Sequence, residues 1–160
     1  MLRISVYDTL KMMKVYLASD HAGFNLKEKI KDYLKTQNIE IEDCGAFSFT
    51  PGDDYPDFIG KAAEKVSENP DDFAIVFGKS GAGEEIVANK FRNVRAVLGF
   101  SEDNVKLARE DNNANVLSLG SQFENLEQAK NLVSLFLNTS FSNNPRHIRR
   151  VKEIKEIENG

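Results

Sequence analysis

Five short, mostly apolar segments alternate with amphipathic segments of helical periodicity, and this alternation limits the fold more than any other feature of the chain. Strands separated by helices of ten or more residues are typical of parallel sheets, because a parallel pair needs a long crossover connection. We therefore predict an α/β fold: a doubly wound, five-stranded parallel sheet with helices on both faces and a C-terminal helix. The predicted strands cover residues 13–19, 39–43, 73–77, 95–99 and 115–119, and the predicted helices cover 23–36, 58–68, a segment beginning near 83, 102–110, 126–137 and 144–157.

The chain has 160 residues, a length typical of one domain that buries enough apolar surface to fold unaided. Residues 1–12 precede the first predicted strand and are interpreted as an N-terminal extension. Residues 13–160 are interpreted as the single domain.

Composition argues against several classes of protein. The net charge of −4 argues against a general binder of nucleic acids or anionic membranes. No apolar run approaches the roughly 20 residues that span a bilayer, and Asp8 and Lys11 interrupt the place where a signal peptide has its apolar core. The single cysteine, Cys44, cannot form an internal disulfide and is interpreted as a small buried residue. We therefore expect a cytoplasmic protein with no nucleic-acid or membrane partner.

The third predicted strand runs directly into a glycine-rich loop, GKSGAG at residues 78–83, and then into a helix. This arrangement presents free backbone N–H groups to an anion. It is not a Walker loop, because Phe73 replaces the required first glycine. It is not a dinucleotide fingerprint either, because Ile86 replaces the third small residue. On this motif alone, an anion-binding loop and an ordinary tight turn both remain open.

In a doubly wound sheet, ligands bind outside the carboxyl ends of the strands. This rule groups the glycine loop with Asp20 and His21, with Ser101, and with the segment after Leu119. A lone histidine at a strand end is usually structural or solvated, but an Asp–His pair at this edge is more often a titrating or anion-binding site. Glu84, just beyond the loop, is either a partner of the helix dipole or a general base acting next to a carbonyl.

A basic cluster begins the last predicted helix. Arg146 and Arg150 lie four residues apart and share one helix face, where two guanidinium groups can bind a phosphate. The alternative is a solvated face that balances Glu153 and Glu156. The chain has two histidines and one cysteine without metal-ligand spacing, so we expect no metal and no cofactor. Together, the clusters indicate a phosphorylated substrate, a proton-shuttling carboxylate and an oxyanion site.

An ordered set of motifs resembles the ribose-5-phosphate isomerase B family, which also includes the galactose-6-phosphate isomerase subunits. The resemblance runs from about residue 13 to about residue 158, and the ordered set is far more specific than any one motif. The matching segments are ASDHAGF (18–24), DYP (54–56), GKSGAGE (78–84), ANK (88–90), RA (95–96), NNAN (112–115), and RH (146–147) with Arg150.

The resemblance implies a metal-independent aldose–ketose isomerase with a Rossmann-like fold that works through a cis-enediolate. It also implies a homodimer or a dimer of dimers, with active sites at the subunit interface. One branch of the family uses a cysteine base at the position of Gly78. The other branch has glycine there and uses the glutamate after the Gly-x-Gly, which in this chain is Glu84.

The other site residues follow from the same resemblance. The loop amides would hold the enediolate oxygens, Asp20 would assist ring opening and hydroxyl binding, and Asn112 would come from the partner subunit. His21 and the two arginines would bind the phosphate, and Tyr55 would line the pocket. The implied catalytic residues are Glu84, Asp20, Ser80 and Asp111, and the implied substrate-binding residues are His21, Tyr55, Lys79, Gly81, Ala82, Gly83, Asn112, Arg146 and Arg150.

Two positions depart from the family pattern. Asp111 stands where the family usually has the histidine that opens the furanose ring, and an ordinary carboxylate is a poor acid at neutral pH. Gln122 stands where many members carry a phosphate-binding arginine. The default substrates are ribose 5-phosphate and ribulose 5-phosphate of the pentose phosphate pathway. The alternatives are a hexose 6-phosphate (allose or galactose 6-phosphate) and a catalytically weak sugar-phosphate-binding subunit.

Overall fold

The central strand of the sheet, β3 (Phe73–Gly78), is buried along its whole length. In a computed structural model that describes residues 13–160, its two phenylalanines and Ile75 face one side of the sheet, and Ala74 and Val76 face the other. Helices cover both sides, which explains why this strand has a continuous apolar run instead of an alternating pattern.

The sheet is parallel throughout and has the strand order β2-β1-β3-β5-β4. The other strands are β1 (Lys14–Ser19), β2 (Glu40–Asp43), β4 (Ala96–Leu98) and β5 (Val116–Gly120). The helices within residues 13–160 are α1 (Phe24–Thr36), α2 (Tyr55–Glu68), α3 (Ala82–Ala88), α4 (Glu102–Asn112), α5 (Leu126–Asn138) and α6 (Pro145–Asn159). The predicted fold class is confirmed. The predicted extension, residues 1–12, lies outside the described residues.

Two apolar clusters hold the layers together. One joins the sheet to α1, α4 and α5, and the other joins its opposite face to α2 and α3. Within the described range, α6 contributes to neither cluster, and His147 is its only buried residue. None of the helices between residues 13 and 160 has both the length and the apolar character that crossing a membrane requires.

Two of the predicted helices were too short. Helix α2 begins at Tyr55, three residues before the predicted start at residue 58. Pro56 lies in its first turn, where its fixed φ and missing N–H fit a helix, although the Tyr-Pro pair favoured a loop in the sequence. Helix α4 continues to Asn112 and ends where Asn113 adopts a left-handed conformation with φ of 48°.

A buried ion pair fixes α1 against the end of β2. The Lys27 side chain is fully buried, and its Nζ lies 2.7 Å from Oδ2 of Asp43. Lys31 contacts the same oxygen at 2.8 Å, and the backbone N–H of Gly45 donates to the other carboxylate oxygen. Burial alone would raise the pKa of Asp43, but the hydrogen bonds from the two lysines hold this pKa below its usual range. This network holds the start of the long β2–α2 loop.

Replacing Asp43 with alanine should lower the free energy of unfolding by about 3 kcal/mol, because the buried Lys27 ammonium loses its main counter-charge. The effect should shrink as pH falls below about 4, since the Asp43 contribution is lost when this carboxyl is protonated in the folded state. Urea unfolding at several pH values measures both effects. Asp32→Ala is the control, because exposed Asp32 lies 3.8 Å from exposed Lys35 and should contribute little. Equal losses in the two variants would contradict a special role for the buried pair.

Candidate active site

The glycine loop lies at the carboxyl edge of the sheet, between the ends of β3 and β5. Gly81 has φ of +82°, in the left-handed region that favours glycine, and directly precedes α3. The Ser118 hydroxyl donates to the Gly81 carbonyl at 2.6 Å, and the Ala82 N–H donates to the Ser80 hydroxyl at 3.2 Å. Gly120 packs against the backbone of Ser80. The loop is therefore held by both strands, while Lys79 and Ser80 are exposed.

Glu84 points back from α3 to the end of β3. Its side chain is buried, with 4% of the residue exposed. A Cβ on Gly78 would collide with the carboxylate, so the glutamate occupies space that only glycine leaves open at residue 78. The predicted pairing of Gly78 with a functional Glu84 therefore has a steric basis.

The pKa of Glu84 is raised, chiefly by burial and further by the negative charge of nearby Asp20. The backbone N–H groups of Glu84 itself and of Gly81 act in the opposite direction. The result is a carboxylate that holds a proton more tightly than an exposed glutamate does. This is the property that a general base working near neutral pH requires.

Asp20 and His21 follow β1 and lie beside the same loop. The Asp20 carboxylate accepts a hydrogen bond from the Gly23 N–H at 3.0 Å, which closes the turn before α1. Gly23 lies so close to the backbone of Phe77 and Gly78 that a Cβ would clash there. The predicted grouping of this turn with the glycine loop is confirmed by the geometry.

Tyr55 reaches the loop from the start of α2. Its ring lies over Gly83, at a distance where a Cβ on Gly83 would lie 2.8 Å from Cζ of the ring. Ser121, just after β5, closes the other side: its N–H donates to the Gly78 carbonyl and its hydroxyl donates to the Ala22 carbonyl. Ser101, grouped here by sequence, instead caps α4 by accepting from the Asn104 N–H.

A second group of predicted residues lies at the amino edge of the sheet. Helix α4 returns to that edge, and Nε of Arg95, just before β4, donates to the carbonyl of Asn112 at 3.1 Å. At the start of α6, Nδ1 of His147 lies 3.5 Å from the Asp111 carboxylate, and Nε of Arg146 donates to Nε2 of His147 at 3.2 Å. Arg150 is one turn further along α6 and is exposed.

The two groups do not meet within one chain. Strand β5 alone separates the edges by about 13 Å, given roughly 3.3 Å per residue. Glu84, Asp20, His21, Tyr55 and residues 79–83 share the carboxyl edge. Asp111, Asn112, Arg146 and Arg150 lie at the opposite edge.

Sequence reasoning assigned no structural role to three side chains that have one. Asp53 bonds His21, Ser118 bonds the glycine loop, and His147 bonds Arg146. Asp53 lay in a turn-forming segment that indicated only a loop. His147 was part of the RH motif at 146–147, but the motif gave it no role of its own.

Among residues 13–160, one group could offer three ligand atoms to a metal ion: Asp20, His21 and Asp53, whose atoms lie within 4.8 Å of one another. Nδ1 of His21 is already engaged by Asp53 at 2.7 Å. Cys44 is buried at the end of β2, and burial raises the pKa of its thiol to about 11, so it stays protonated near neutral pH. Its buried position agrees with the interpretation of Cys44 as a small core residue.

Most of the chain is similar to known proteins in sequence and in fold. Residues 15–154 match the family model described as Ribose/Galactose Isomerase. The chain is similar to ribose-5-phosphate isomerase B of Mycolicibacterium paratuberculosis, with 43% identity over 91% of this chain and 92% of that protein. It is also similar to the crystal structure of ribose-5-phosphate isomerase B from Mycoplasma genitalium with bound ribulose 5-phosphate, with a TM-score of 0.89, 39% identity, and coverage of 92% of this chain and 97% of that one. For the ribose 5-phosphate isomerase of Thermotoga maritima, the TM-score is 0.85 at 42% identity, with 91% and 99% of the two chains covered.

The buried carboxylate should make stability depend on pH. Because the folded chain holds the Glu84 proton more tightly than the unfolded chain does, the free energy of unfolding falls as pH rises through the folded-state pKa. A Glu84→Gln variant lacks this pH-dependent contribution to stability. Its stability relative to the unmodified chain should therefore increase from about pH 4, near the usual glutamate pKa, toward neutral pH.

Urea unfolding of both proteins at one protein concentration measures this difference, with Glu64→Gln on the exposed side of α2 as the control. A difference that stays constant across the pH range would show that the Glu84 carboxyl has an ordinary pKa.

Proposed function

The chain belongs to the ribose/galactose isomerase family, and from that premise we propose that it interconverts ribose 5-phosphate and ribulose 5-phosphate. Support comes from its similarity to proteins named ribose-5-phosphate isomerase B, one of them crystallised with ribulose 5-phosphate. The observation that carries the proposal is the buried carboxylate of Glu84, held against Gly78 at the start of the glycine loop.

In the proposed reaction, Glu84 removes the proton from C2 of the open-chain aldose. The electron pair of that C–H bond forms the C1–C2 double bond, and the carbonyl electrons move onto O1. The proton of the C2 hydroxyl passes to O1, Glu84 returns its proton to C1, and O2 becomes the ketose carbonyl. No atom is gained or lost, so one carboxylate is enough to shuttle the proton.

Negative charge on the enediolate oxygens develops next to the glycine loop. The backbone N–H groups of residues 79–83 are positioned by β3, β5 and α3 before substrate arrives, so they stabilise this charge with little reorganisation. Asp20 lies close enough to Glu84 for its charge to raise the pKa of the Glu84 carboxyl. We propose that Asp20 binds substrate hydroxyls and assists ring opening. Tyr55 would form the wall over Gly83.

The phosphate is assigned to His21 together with Arg146 and Arg150. The two arginines lie at the far edge of their own sheet, so we propose that they reach the site from a second copy of the chain, as do Asn112 and Asp111. The smallest assembly that meets this need is a homodimer, and a dimer of dimers meets it equally. We also propose that the protein acts in the cytoplasm without a metal or cofactor.

Exposed apolar side chains on α6 support a two-chain site. Apolar side chains of α6 are exposed to solvent in the single chain: Ile148 to 48%, Ile154 to 39% and Ile157 to 80%. They share the helix that carries the two arginines. Covering such side chains with a second copy would bury apolar surface and bring the basic residues into an interface.

Glu84→Gln should lower kcat for ribose 5-phosphate by about a thousandfold and leave KM nearly unchanged, because the amide fills the same space but cannot take the proton. The assay measures ribulose 5-phosphate formation with EDTA present. Glu85→Gln is the matched control, since the Glu85 carboxylate accepts from the Leu98 N–H at 3.1 Å and glutamine keeps that acceptor. Turnover retained in Glu84→Gln would remove Glu84 from the role of base.

The unmodified protein should be assayed with ribose 5-phosphate, allose 6-phosphate and galactose 6-phosphate as separate substrates. Asp111 and Gln122 are the positions where a preference for a hexose phosphate would arise. Fast turnover of ribose 5-phosphate supports the proposed substrate. Activity on a hexose phosphate alone would reassign the substrate and keep the mechanism.

Mixing two inactive variants tests the two-chain site. Each proposed site takes Glu84 from one chain and Arg150 from the other. A dimer of one Glu84→Gln chain and one Arg150→Ala chain therefore has one site with both substitutions and one site with neither. Subunit exchange should then restore about a quarter of the unmodified activity, given random dimer formation. Glu84→Gln mixed with Asp20→Asn is the control, because both residues lie on the same edge and no intact site can form. A mixture of the first pair that stays inactive after proven exchange would place each site within one chain.

A further inference from the structure

Asp53 makes two hydrogen bonds to one residue 32 positions earlier in the chain. Its Oδ1 accepts from the backbone N–H of His21 at 2.8 Å and lies 2.7 Å from Nδ1 of the His21 ring. The Asp53 side chain is only 10% exposed, whereas the imidazole is 34% exposed. A mostly buried carboxylate therefore holds Nδ1 of a ring that stays partly exposed to solvent.

The loop around Asp53 is fixed independently of His21. The Asp53 N–H donates to the Thr50 carbonyl at 3.2 Å, and Gly52 adopts φ of +79° between them. Helix α2 begins two residues later, at Tyr55. The carboxylate is thus presented from a hydrogen-bonded turn that leads directly into a helix.

The pairing determines what the imidazole can donate. With Nδ1–H directed at Asp53, a neutral ring has only a lone pair at Nε2 and cannot donate to an anion, whereas a protonated ring offers Nε2–H. Among residues 13–160, no group forms a hydrogen bond with Nε2. The hydrogen bond that the ring donates to Asp53 raises the pKa of His21, and the charge of Asp20, whose Oδ2 lies 4.0 Å from Nδ1, acts in the same direction.

We propose that Asp53 is a positioning residue for the isomerase: it fixes the His21 ring so that a cationic imidazole donates through Nε2 to the substrate phosphate. This inference rests on the proposed function, since it requires a phosphorylated substrate at the carboxyl edge. Asp53 itself does not touch the substrate. It aligns one phosphate ligand and favours the charged form of that ligand.

The first test separates binding from chemistry. Asp53→Ala should raise KM for ribose 5-phosphate about tenfold with little change in kcat, because a charge-assisted contact to the phosphate is weakened while the base is untouched. Asp53→Asn keeps an acceptor for the backbone N–H and for Nδ1–H but removes the charge. Its KM should therefore lie between that of the unmodified protein and that of Asp53→Ala. Asp71→Ala, at an exposed position before β3, removes the same charge at the opposite edge and should leave KM unchanged.

A double-mutant cycle distinguishes positioning from general loop support. If Asp53 acts through the imidazole, Asp53→Ala should add less than about a twofold change in a His21→Gln background. If Asp53 only supports the loop, its full effect should persist there, and the proposal would be overturned. An unchanged KM in Asp53→Ala, with the unmodified enzyme active, would overturn it as well.

NMR of the imidazoles gives a readout that does not need turnover. The chain has two histidines, His21 and His147, so their ring resonances can be assigned by single substitutions. Inorganic phosphate should shift the His21 resonances of the unmodified protein at a lower concentration than it shifts those of the Asp53→Ala variant. In the Asp53→Asn variant, the His21 imidazole should titrate at a lower pH than in the unmodified protein.

The kinetic assays and the NMR titration together separate the inference from the proposed function. If the unmodified protein fails to isomerise ribose 5-phosphate, the proposed function fails, and the phosphate titration alone then decides the role of Asp53. Identical His21 responses in all three proteins would refute that role.

Discussion

The missing side chain at residue 78 is the constraint on which the site depends. Glu84 lies in the first turn of α3, and its carboxylate fills the space beside the Gly78 backbone where a Cβ would project. Because the carboxylate is buried there, it holds its proton more tightly than an exposed glutamate does. One glycine thus sets both the position and the proton affinity of the group proposed as the base. Any larger residue at this position would displace the carboxylate from the loop amides.

Close backbone approach organises the rest of the carboxyl edge in the same way. Gly23 brings the turn after β1 against the end of β3, and Gly83 accepts the ring of Tyr55. The buried pair of Lys27 and Asp43 secures the start of the loop that ends at α2. These contacts join three connections into one surface around the Glu84 carboxylate. The surface is therefore formed by packing before any ligand binds.

The proposed site is divided between two edges of the sheet, and this division links catalysis to assembly. One edge supplies the carboxylates and the oxyanion loop, whereas the other supplies the arginines of α6. A single chain cannot bring them together across the sheet. A second copy would join the two edges and could also cover exposed apolar side chains of α6. In this scheme, the enzyme depends on its dimer for phosphate binding while each chain keeps its own base.

The sequence by itself determined the order and type of the strands and helices, the parallel sheet and the glycine loop, and its resemblance to a family singled out Glu84 as the candidate base. These features depend on local periodicity and on short motifs, which one chain segment carries alone. Only the tertiary structure decided that Glu84 is buried against Gly78, that Asp53 holds His21, and that the arginines lie far from the carboxylate. Each of these depends on contacts between segments distant in sequence, 32 residues apart for Asp53 and His21. No local pattern encodes such a distance, because it follows from how the helices and loops pack around the sheet.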